Sequence, residues 1–443
     1  MARKPRQMAI YTFGANNPTN PGSQLQGGRM SAAIPKFKRK FLFLQGVNSP
    51  FFPALADKLT ADGHRVFKIN FNVGDRIYWG LRSAWSFRGA LETLPDFLRE
   101  KVLQHGITDI LLFGDRRPIH LPAIAMARQR GLRLHVFEEG YFRPNWITLE
   151  RDGVNANSHL PRNADWYRRV GAALPDYGEG KSFASSLGSR ARYDMIYHSF
   201  NFWNPLFYPR YRTHRPLISA IEYLGWGRRF SMMSFYEARD RRTIAALTSG
   251  TQPYFLLPLQ LDSDAQIRDH SPFNNMAEVI ELVMTSFALC APRDARLVIK
   301  NHPLDTGFVN FRHLIDQLAA QYDLRDRVDY LESGNLDALL TRTSGLVTVN
   351  STVGLSSLTF DCPTMTLSKP IYHLPGLTFA GPIDEFWKSG TRPDAELFRC
   401  FRNTVIHTTQ INGGFYSPAG IAMAVANSVP VLMADRSPLE MLR

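Results

Sequence analysis

Short apolar segments alternate with amphipathic segments over the first part of the chain. Residues 41–45 are mostly apolar, a glycine turn follows, and residues 52–62 have the apolar spacing of a helix. The alternation continues with predicted strands at residues 65–70, 109–113 and 133–137 and a predicted helix at residues 120–130. Strands that alternate with helices form a parallel sheet. We therefore predict a first α/β lobe over residues 41–190.

A second set of elements with the same alternation begins near residue 254. Its predicted strands are residues 254–257, 296–300, 328–331 and 345–349, and its predicted helices are residues 275–289 and 335–342. We assign these elements to a second parallel-sheet lobe over residues 251–385. No internal sequence repeat relates the two lobes. The predicted fold class is α/β, with two Rossmann-like lobes that face a cleft.

Three further segments lie outside the two lobes. Residues 1–40 combine basic side chains with a stretch rich in Gly, Asn, Pro and Ser, which predicts a disordered basic tail. Residues 191–250 are rich in Tyr, Trp, Phe and Arg and are predicted to form a helical connector. The connector suits either packing between the lobes or contact with a membrane interface. Residues 386–443 are predicted to form helices that pack back across the lobes.

The composition sets limits on partners and compartment. The formal net charge of +13 favours an anionic partner, which can be a nucleic acid, an anionic membrane or a phosphorylated substrate. Cys290, Cys362 and Cys400 are far apart and lack a CxxC spacing, so a reducing cytoplasm fits better than a disulfide framework or a zinc site. Because no apolar run approaches the roughly 18 residues that span a bilayer, any membrane contact is predicted to be peripheral.

Polar clusters follow the predicted strands where the strands end. In open parallel sheets, ligands bind beyond the carboxyl ends of the strands. Six clusters occupy such positions: Gly46-Val47-Asn48-Ser49, Gly114-Asp115-Arg116, Glu138-Glu139-Gly140, Pro258-Leu259-Gln260, Lys300-Asn301-His302 and Asn350-Ser351-Thr352. We therefore expect the functional site to lie at these strand ends, in the cleft.

Glu138 and Glu139 are the candidate catalytic carboxylates. Adjacent side chains at a strand end point in opposite directions, so we expect one glutamate to face the cleft and the other to be anchored in the scaffold. Two carboxylates in different environments are a common acid–base arrangement. The alternative is an exposed acidic turn, which is the usual context of a bare Glu-Glu-Gly.

The second lobe supplies candidate phosphate-binding groups. Lys300-Asn301-His302-Pro303 closes an apolar strand, and the proline fixes the direction in which the chain leaves it. Asn350-Ser351-Thr352 adds further donors, and a helix that begins near Thr352 would offer free backbone N–H groups. A simple helix cap at Ser351 or Thr352 is the alternative. In the first lobe, Asp115-Arg116-Arg117 suits an anionic sugar or acceptor, or else is a solvated charged turn.

Common cofactor and metal motifs are absent from the sequence. Neither GxGxxG nor GxxxxGK[ST] occurs, so a dinucleotide oxidoreductase and a P-loop kinase lack their main support. HExxH and Cys/His metal spacings are missing, and Asp262-Ser263-Asp264 is better placed to cap a helix than to bind a metal. We predict neither a metal nor a cofactor. Basic residues are spread along the chain without a nucleic-acid-binding module, so no nucleic-acid partner is predicted.

With these motifs in order, about residues 40–420 resemble the KpsS/LipB family of capsule polysaccharide biosynthesis and export proteins. The resemblance rests on one ordered set of motifs: Phe43-Leu44-Gln45-Gly46, Gly114-Asp115-Arg116-Arg117-Pro118, Phe137-Glu138-Glu139-Gly140-Tyr141-Phe142-Arg143-Pro144, Pro258-Leu259-Gln260, His302-Pro303 and Asn350-Ser351-Thr352-Val353-Gly354. Related Kdo transferase domains often read Glu-Asp-Gly where this chain has Glu138-Glu139-Gly140. The longer second carboxylate leaves its exact role open.

The resemblance implies a GT-B-like, retaining glycosyltransferase. Such an enzyme moves Kdo, an eight-carbon keto-sugar acid, from CMP-Kdo to a phosphatidylglycerol-type lipid and so initiates the β-Kdo linker of capsular polysaccharide. The implied partners are an anionic phospholipid, the cytoplasmic face of the inner membrane and other capsule assembly enzymes. The acidic pair and His-Pro are also similar to those of bacterial sialyltransferases. A CMP-sialic acid transferase and a non-catalytic export accessory protein are therefore the alternatives.

The resemblance assigns the candidate residues to three roles. The catalytic candidates are Glu139, Glu138 and Asp115, with Glu139 preferred. The donor-binding candidates are Gln260, Lys300, His302, Pro303, Asn350, Ser351 and Thr352. The acceptor- or anion-binding candidates are Gly46, Ser49, Arg116 and Arg143. CMP-Kdo carries both a phosphodiester and a carboxylate, so a basic cleft suits it. A carboxylate near the anomeric carbon would act as the nucleophile in a retaining reaction or as the base in an inverting one, and the resemblance implies retention.

Overall fold

A computed structural model describes residues 38–184, 187–213, 219–262 and 264–443. Most of the predicted basic tail, residues 1–37, lies outside the described residues. The chain from Lys38 to Arg443 forms one unit. None of the helices that the structure describes is long and apolar enough to cross a lipid bilayer.

The described elements are numbered here in chain order. The strands are β1 (Lys40–Phe43), β2 (Arg65–Asn70), β3 (Trp85–Ser86), β4 (Asp109–Phe113), β5 (Arg133–Glu139), β6 (Trp146–Arg151), β7 (Tyr254–Pro258), β8 (Arg296–Lys300), β9 (Val328–Leu331), β10 (Gly345–Thr348), β11 (Thr364–Thr366) and β12 (Gln410–Asn412). The helices are α1 (Phe51–Ala61), α2 (Val73–Trp79), α3 (Leu94–His105), α4 (Leu121–Arg130), α5 (Ala164–Ala172), α6 (Leu187–Asn201), α7 (Asn204–Phe207), α8 (Ser219–Ser249), α9 (Ala265–Arg268), α10 (Met276–Cys290), α11 (Phe311–Gln321), α12 (Leu336–Leu340), α13 (Val353–Thr359), α14 (Ile383–Ser389), α15 (Ala395–Thr409), α16 (Pro418–Met433) and α17 (Pro438–Leu442).

The two sheets share one strand order. The first sheet runs β3-β2-β1-β4-β5-β6-β12, and β1 to β5 are parallel to one another. The second sheet runs β9-β8-β7-β10-β11 and is parallel throughout. Both therefore contain five parallel strands in the order 3-2-1-4-5, which is that of a Rossmann sheet. This confirms the predicted α/β class with two Rossmann-like lobes.

The strands of the second sheet are largely apolar because helices cover both faces of the sheet. Leu257, Ile299 and Val347 pack with α10, α11 and α14 in one buried cluster. Leu256 and Val298 face the opposite side and pack with residues of α8 and α12. Strands buried on both faces read as continuous apolar runs, which is the pattern that made them recognisable in the sequence.

The pattern of apolar and polar residues did not predict two strands at one edge of the first sheet. β6 pairs antiparallel with β5, and β12 pairs antiparallel with β6. Pairing with β6 extends β5 by two residues, since Glu138 lies opposite Thr148 and Glu139 opposite Ile147. The prediction that the strand ends at Phe137 was therefore wrong. The segment over residues 386–443 contributes β12 in addition to its helices.

The two halves of the predicted connector are attached to different sheets. Helix α6 is tied to the first lobe, where Tyr197 donates its hydroxyl to Asp75 over 2.9 Å. Helix α8 is tied to the second lobe, where Arg229 pairs with Asp305 over 3.1 Å. Asp240 strengthens that attachment because its carboxylate accepts the backbone N–H groups of Glu332 and Ser333.

One apolar cluster joins residues of the two lobes. It contains Tyr141 and Tyr167 of the first lobe, Leu355 and Tyr372 of the second, and Phe401 of α15. Burial of such side chains contributes about 25 cal/mol for each Å² removed from water, so this cluster favours a fixed arrangement of the two sheets.

Gly171 allows α5 and α15 to approach closely, and we expect the Gly171→Ala variant to be destabilised by about 3 kcal/mol. A Cβ at this position would lie 2.6 Å from Cys400 Cα, against backbone that cannot rotate away. Urea unfolding would measure the loss. The Gly178→Ala variant is the control, because a Cβ there meets no atom within 4 Å. Equal stability of both variants with the unaltered protein would contradict this account of the contact.

Candidate active site

The carboxyl ends of the two sheets border one cleft of about 1070 Å³. This is large enough for a nucleotide-sugar together with part of an acceptor. Of the residues predicted for the site, all but Gly46 and Ser49 line it: Asp115, Arg116, Glu138, Glu139, Arg143, Gln260, Lys300, His302, Pro303, Asn350, Ser351 and Thr352. The structure thus brings together side chains that are up to about 240 positions apart in the sequence.

Gly46 and Ser49 are not among the residues that line the cleft, and their role in acceptor binding stays a prediction. Ser49 is buried, and its Oγ accepts the N–H of Phe51 at the start of α1. Gly46 leaves room for the aromatic ring of Phe52, because a Cβ at position 46 would lie 2.7 Å from Phe52 Cδ2. The same turn presents other residues to the cleft, among them Gln45 and Asn48.

In each lobe, a side-chain hydrogen bond links the ends of the two neighbouring strands between which the strand order reverses. In the first lobe, Arg117 donates to Gln45 Oε1 over 2.9 Å, between the ends of β4 and β1. In the second lobe, Gln260 donates to Asn350 Oδ1 over 3.0 Å, between the ends of β7 and β10. These reversals are where ligands bind in open α/β sheets. Each bond therefore fixes the floor of the cleft at a ligand-binding position.

Glu138 and Glu139 lie on opposite faces of the first sheet, as their alternation along β5 requires. Phe137, two residues before Glu139, belongs to the cluster beneath α1 and α16, whereas Val136, two before Glu138, belongs to the cluster beneath α3 and α4. Both carboxyl groups nevertheless border the cleft. The expectation that one of them would be withdrawn into the scaffold was wrong, because β5 ends at the rim.

Glu139 is held in place by two partners. Tyr416 donates its hydroxyl to Glu139 Oε1 over 2.9 Å, and Arg190 Nη2 lies 3.2 Å from the same oxygen. The Arg190 guanidinium also lies 4.8 Å from the centre of the Tyr416 ring, which aligns the two donors. The contacts engage Oε1, so Glu139 has a fixed orientation at the cleft.

Glu138 has a different electrostatic environment. Its Oε1 accepts the backbone N–H of Glu139 over 2.9 Å. Burial, together with the neighbouring charges of Glu139 and Asp264, raises the pKa of Glu138 to about 7, although Arg117 opposes the shift. A carboxyl group whose pKa lies near neutral pH can both take up and release a proton, which suits an acid–base role for Glu138.

His302 is a neutral hydrogen-bond donor to the cleft. Its Nδ1 accepts the backbone N–H of Leu304 over 3.1 Å, which assigns the proton to Nε2. Burial and the surrounding cations Lys300, Arg143 and Arg229 lower the pKa of His302 to about 4. Arg143 belongs to the first lobe, so charges interact across the cleft.

We expect His302 to remain the neutral Nε2–H tautomer from about pH 5 to about pH 8, well above its lowered pKa. Nitrogen-15 chemical shifts of the imidazole would report this directly, with the His302→Gln variant identifying the signal. A shift toward the doubly protonated form near pH 6.5, the value of an unperturbed histidine, would contradict the assignment.

Lys300 presents an ammonium group that lacks an acceptor within hydrogen-bonding distance among the described residues. Burial and the nearby Arg229 lower its pKa from the usual value. Arg229 itself is satisfied by Asp305 and by Glu332. The charge of Asp240 offsets only part of this cost of burial, so Lys300 stands to gain from an anionic ligand.

The turn at Ser351 and Thr352 precedes a short helix, as predicted, but it offers fewer free N–H groups than expected. Val353 donates its N–H to Ser351 Oγ, Gly354 to Ser351 O and Leu355 to Thr352 O. Ser351 therefore acts as the local cap. The expectation of several free N–H groups in the first turn of α13 was wrong.

Asp115 is engaged with the scaffold, whereas the nearby arginines face the cleft. Asp115 Oδ2 accepts the N–H of Val154 over 3.1 Å and the amide of Asn157 over 3.0 Å. Its catalytic role stays a prediction. Arg116 and Arg143 line the cleft, and Arg143 Nε donates a hydrogen bond to Gly140 O over 3.3 Å.

The acidic pair near Gln260 is used to begin helices. Asp264 Oδ1 accepts the N–H of Gln266 in α9, and Asp262 Oδ1 accepts the N–H of Met276 at the start of α10. Ser263 lies outside the described residues. Among those that are described, no three His, Cys, Asp or Glu side chains form a group that could hold a metal ion.

Sequence reasoning missed two residues that hold Glu139. Arg190 and Tyr416 lie about 50 and 280 positions from Glu139, outside any motif. Arg117 lay in a motif that was assigned to an anionic sugar or acceptor, but its hydrogen bond to Gln45 was not predicted. Only Tyr416 had a local signal, because it follows the glycine pair Gly413-Gly414 that leads from β12 toward the cleft.

Comparisons with known proteins agree with these features. The family described as "Capsule polysaccharide biosynthesis protein" matches residues 108–416. The capsule polysaccharide export protein KpsS of Escherichia coli is 36% identical over 395 residues, covering 88% of this chain and all of that protein. The capsule polysaccharide modification protein LipB of Neisseria meningitidis serogroup B is 37% identical over 382 residues, covering 85% and 91%.

A comparison with solved structures gives a match along most of the chain. The β-Kdo 2,7 transferase of Thermosulfurimonas dismutans KpsC aligns with 89% of this chain and all of its own, at 13% identity and a TM-score of 0.41. The family match over residues 108–416 and the identity to KpsS and LipB along nearly their whole lengths lead to one conclusion. This chain belongs to the capsule polysaccharide biosynthesis protein family.

Proposed function

We propose that this protein is a retaining glycosyltransferase that moves Kdo from CMP-Kdo to a phosphatidylglycerol-type lipid acceptor. One observation carries the proposal: Glu139 and a Glu138 whose pKa is raised to about 7 share a cleft with the ammonium of Lys300 and the Nε2–H of His302. Carboxylates on one wall, with the Lys300 ammonium and the neutral His302 donor on the other, match a reaction in which a sugar leaves an anionic phosphate.

Donor binding would use the second lobe. The phosphate of CMP-Kdo would accept hydrogen bonds from Lys300 and from His302, which are also the groups that stabilise CMP as it leaves. Ser351 and Thr352 would add hydroxyl donors. Gln260 and Asn350 bond to each other, Asn350 also donates to Gln266 O and His270 O, and the two would hold the pocket in shape. Arg116 and Arg143 would bind the carboxylate of the Kdo ring, which requires cations beyond those used for the phosphate.

The chemical step would proceed in two displacements. In the first, a carboxylate oxygen of Glu139 bonds to the anomeric carbon, the bond from that carbon to the phosphate oxygen breaks, and CMP leaves with the electron pair. In the second, the acceptor hydroxyl attacks the same carbon, Glu138 takes the hydroxyl proton, and the ester bond to Glu139 breaks. Two inversions give net retention, as the β donor and β linkage of the family require.

The test is one incubation of the full chain with each CMP-sugar and a short-chain phosphatidylglycerol. We expect a product heavier than the acceptor by one or more Kdo residues with CMP-Kdo, together with release of CMP. A product with CMP-sialic acid alone would identify a sialyltransferase instead. The absence of product and of CMP release with both donors would overturn the proposal and favour an accessory role in capsule export.

A further inference from the structure

Helix α6 has the opposite polarity from an ordinary surface helix. Its inner side is polar: Tyr197 bonds to Asp75, and Asn201 Oδ1 accepts the N–H of Gly74 over 2.9 Å. Asn204 at the start of α7 accepts the N–H of Val73 in the same way. Surface helices normally bury their apolar side and expose their polar side. Here the polar side is buried, so the apolar side faces outward.

The outward side forms a continuous apolar ridge, defined here by the exposed residues Met195, Ile196, Phe200, Phe202, Trp203, Leu206 and Phe207. These seven are among the 21 large apolar side chains that are exposed in the described part of the chain, and they fall within 13 consecutive positions. Phe202 is 80% exposed and Leu206 is 70% exposed. A cluster of this kind marks a surface that binds an apolar partner.

The charges around the ridge indicate what that partner is. Arg192, Arg210 and Arg212 are all exposed. From residue 192 to residue 213 the sequence contains one acidic residue, Asp194, whose side chain is only 19% exposed and accepts a hydrogen bond from Asn48. Exposed Trp and Phe side chains flanked by arginines are typical of segments that lie in the interface of an anionic bilayer. An ordinary protein partner would be met by charges of both signs.

We propose that the apolar ridge, together with Arg192, Arg210 and Arg212, docks this protein on the surface of an anionic lipid bilayer. The aromatic side chains enter the headgroup region, and the arginines contact lipid phosphates. The side of α6 that carries Arg190, Asp194 and Tyr197 lines the cleft, so docking sets the bilayer beside the cleft wall. The surface is separate from the catalytic groups and does not depend on which sugar is transferred.

Flotation of the full chain with lipid vesicles tests the proposal. We expect binding to vesicles of phosphatidylcholine with phosphatidylserine and little binding to phosphatidylcholine alone. The double variant Trp203→Ser, Leu206→Ser is expected to lower the partition coefficient by at least about tenfold. The double variant Arg210→Glu, Arg212→Glu is expected to lower it about thirtyfold on anionic vesicles.

The control is the double variant Leu103→Ser, Leu289→Ser, which changes equally exposed leucines on α3 and α10. It should bind vesicles as the unaltered protein does. Equal binding by all variants, or no binding by the unaltered protein, would overturn the proposal. So would a ridge variant that turns a dimer into a monomer in light scattering, because the ridge would then join two copies.

Transfer to a short-chain acceptor in solution should survive in the ridge variants, which separates failure of docking from failure of the proposed activity.

Discussion

The Glu139→Gln variant is expected to transfer Kdo at least about 10³-fold more slowly than the unaltered protein, with little change in thermal stability. Glutamine has the same shape and still accepts the hydrogen bond from Tyr416, but its amide cannot form the ester to the sugar. Removal of the charge also leaves Arg190 without its anionic partner. The measurement is the initial rate of CMP release together with the mass of the lipid product.

The matched control is Glu100→Gln, which changes an exposed glutamate on α3 that pairs with Lys101. It should retain the full rate. The Glu138→Gln variant adds a sharper test, because it should slow the second displacement and let the Kdo ester on Glu139 accumulate. Mass spectrometry of the intact protein would detect that ester. An ester in the Glu139→Gln variant and none in Glu138→Gln would show that the two roles are reversed.

The pH profile separates the two glutamates further. Glu138 must lose its proton to act as the base, so the rate should rise with pH through about 7, its raised pKa. In the Glu138→Gln variant, the remaining activity should lack that rise. An unchanged profile would mean that another group takes the proton of the acceptor.

The His302→Ala variant is expected to lose about 10²-fold in kcat/KM for CMP-Kdo. The Nε2–H of His302 is held in place by the bond from Leu304 to Nδ1, so it costs no reorganisation when charge develops on the leaving phosphate. Alanine removes the donor and leaves Lys300 as the nearest one. Steady-state rates at varied CMP-Kdo would measure the loss.

His313→Ala is the control for this histidine, since His313 lies exposed on α11 in the same lobe. It should leave kcat/KM unchanged. His302→Gln, whose amide can also donate, should recover part of the lost activity. Full activity in His302→Ala would remove this residue from the donor site, and equal losses in the alanine and glutamine variants would indicate a packing role instead.

The two lobes have the same strand order without a recognisable sequence repeat. In each lobe, a side-chain hydrogen bond joins the two strand ends where the strand order reverses. The bond runs from Arg117 to Gln45 in the first lobe and from Gln260 to Asn350 in the second. The chemistry of the lobes nevertheless differs, because the first contributes the carboxylates and the second contributes Lys300 and His302. A cleft between two such sheets can hold an acid–base pair and an anion-binding wall at a fixed separation.

The sequence alone determined the fold class and the candidate residues at most strand ends. Parallel strands that are buried on both faces are apolar along most of their length, so β4 and β8 were found with their observed bounds. The polar residues directly after such strands must lie at the carboxyl edge of the sheet. For that reason Lys300 and His302 could be assigned to the cleft before the structure was known.

The tertiary structure decided which of these groups meet and how each is charged. β5 extends to Glu139 because it pairs with β6, whose sequence has no distinctive pattern of apolar and polar residues. This extension brings both glutamates to the rim of the cleft. Arg190 and Tyr416 reach Glu139 only through the attachment of α6 and the entry of β12 into the first sheet. Local sequence fixes periodicity and strand ends, but burial and charge contacts between distant segments set protonation, and these exist only in the folded chain.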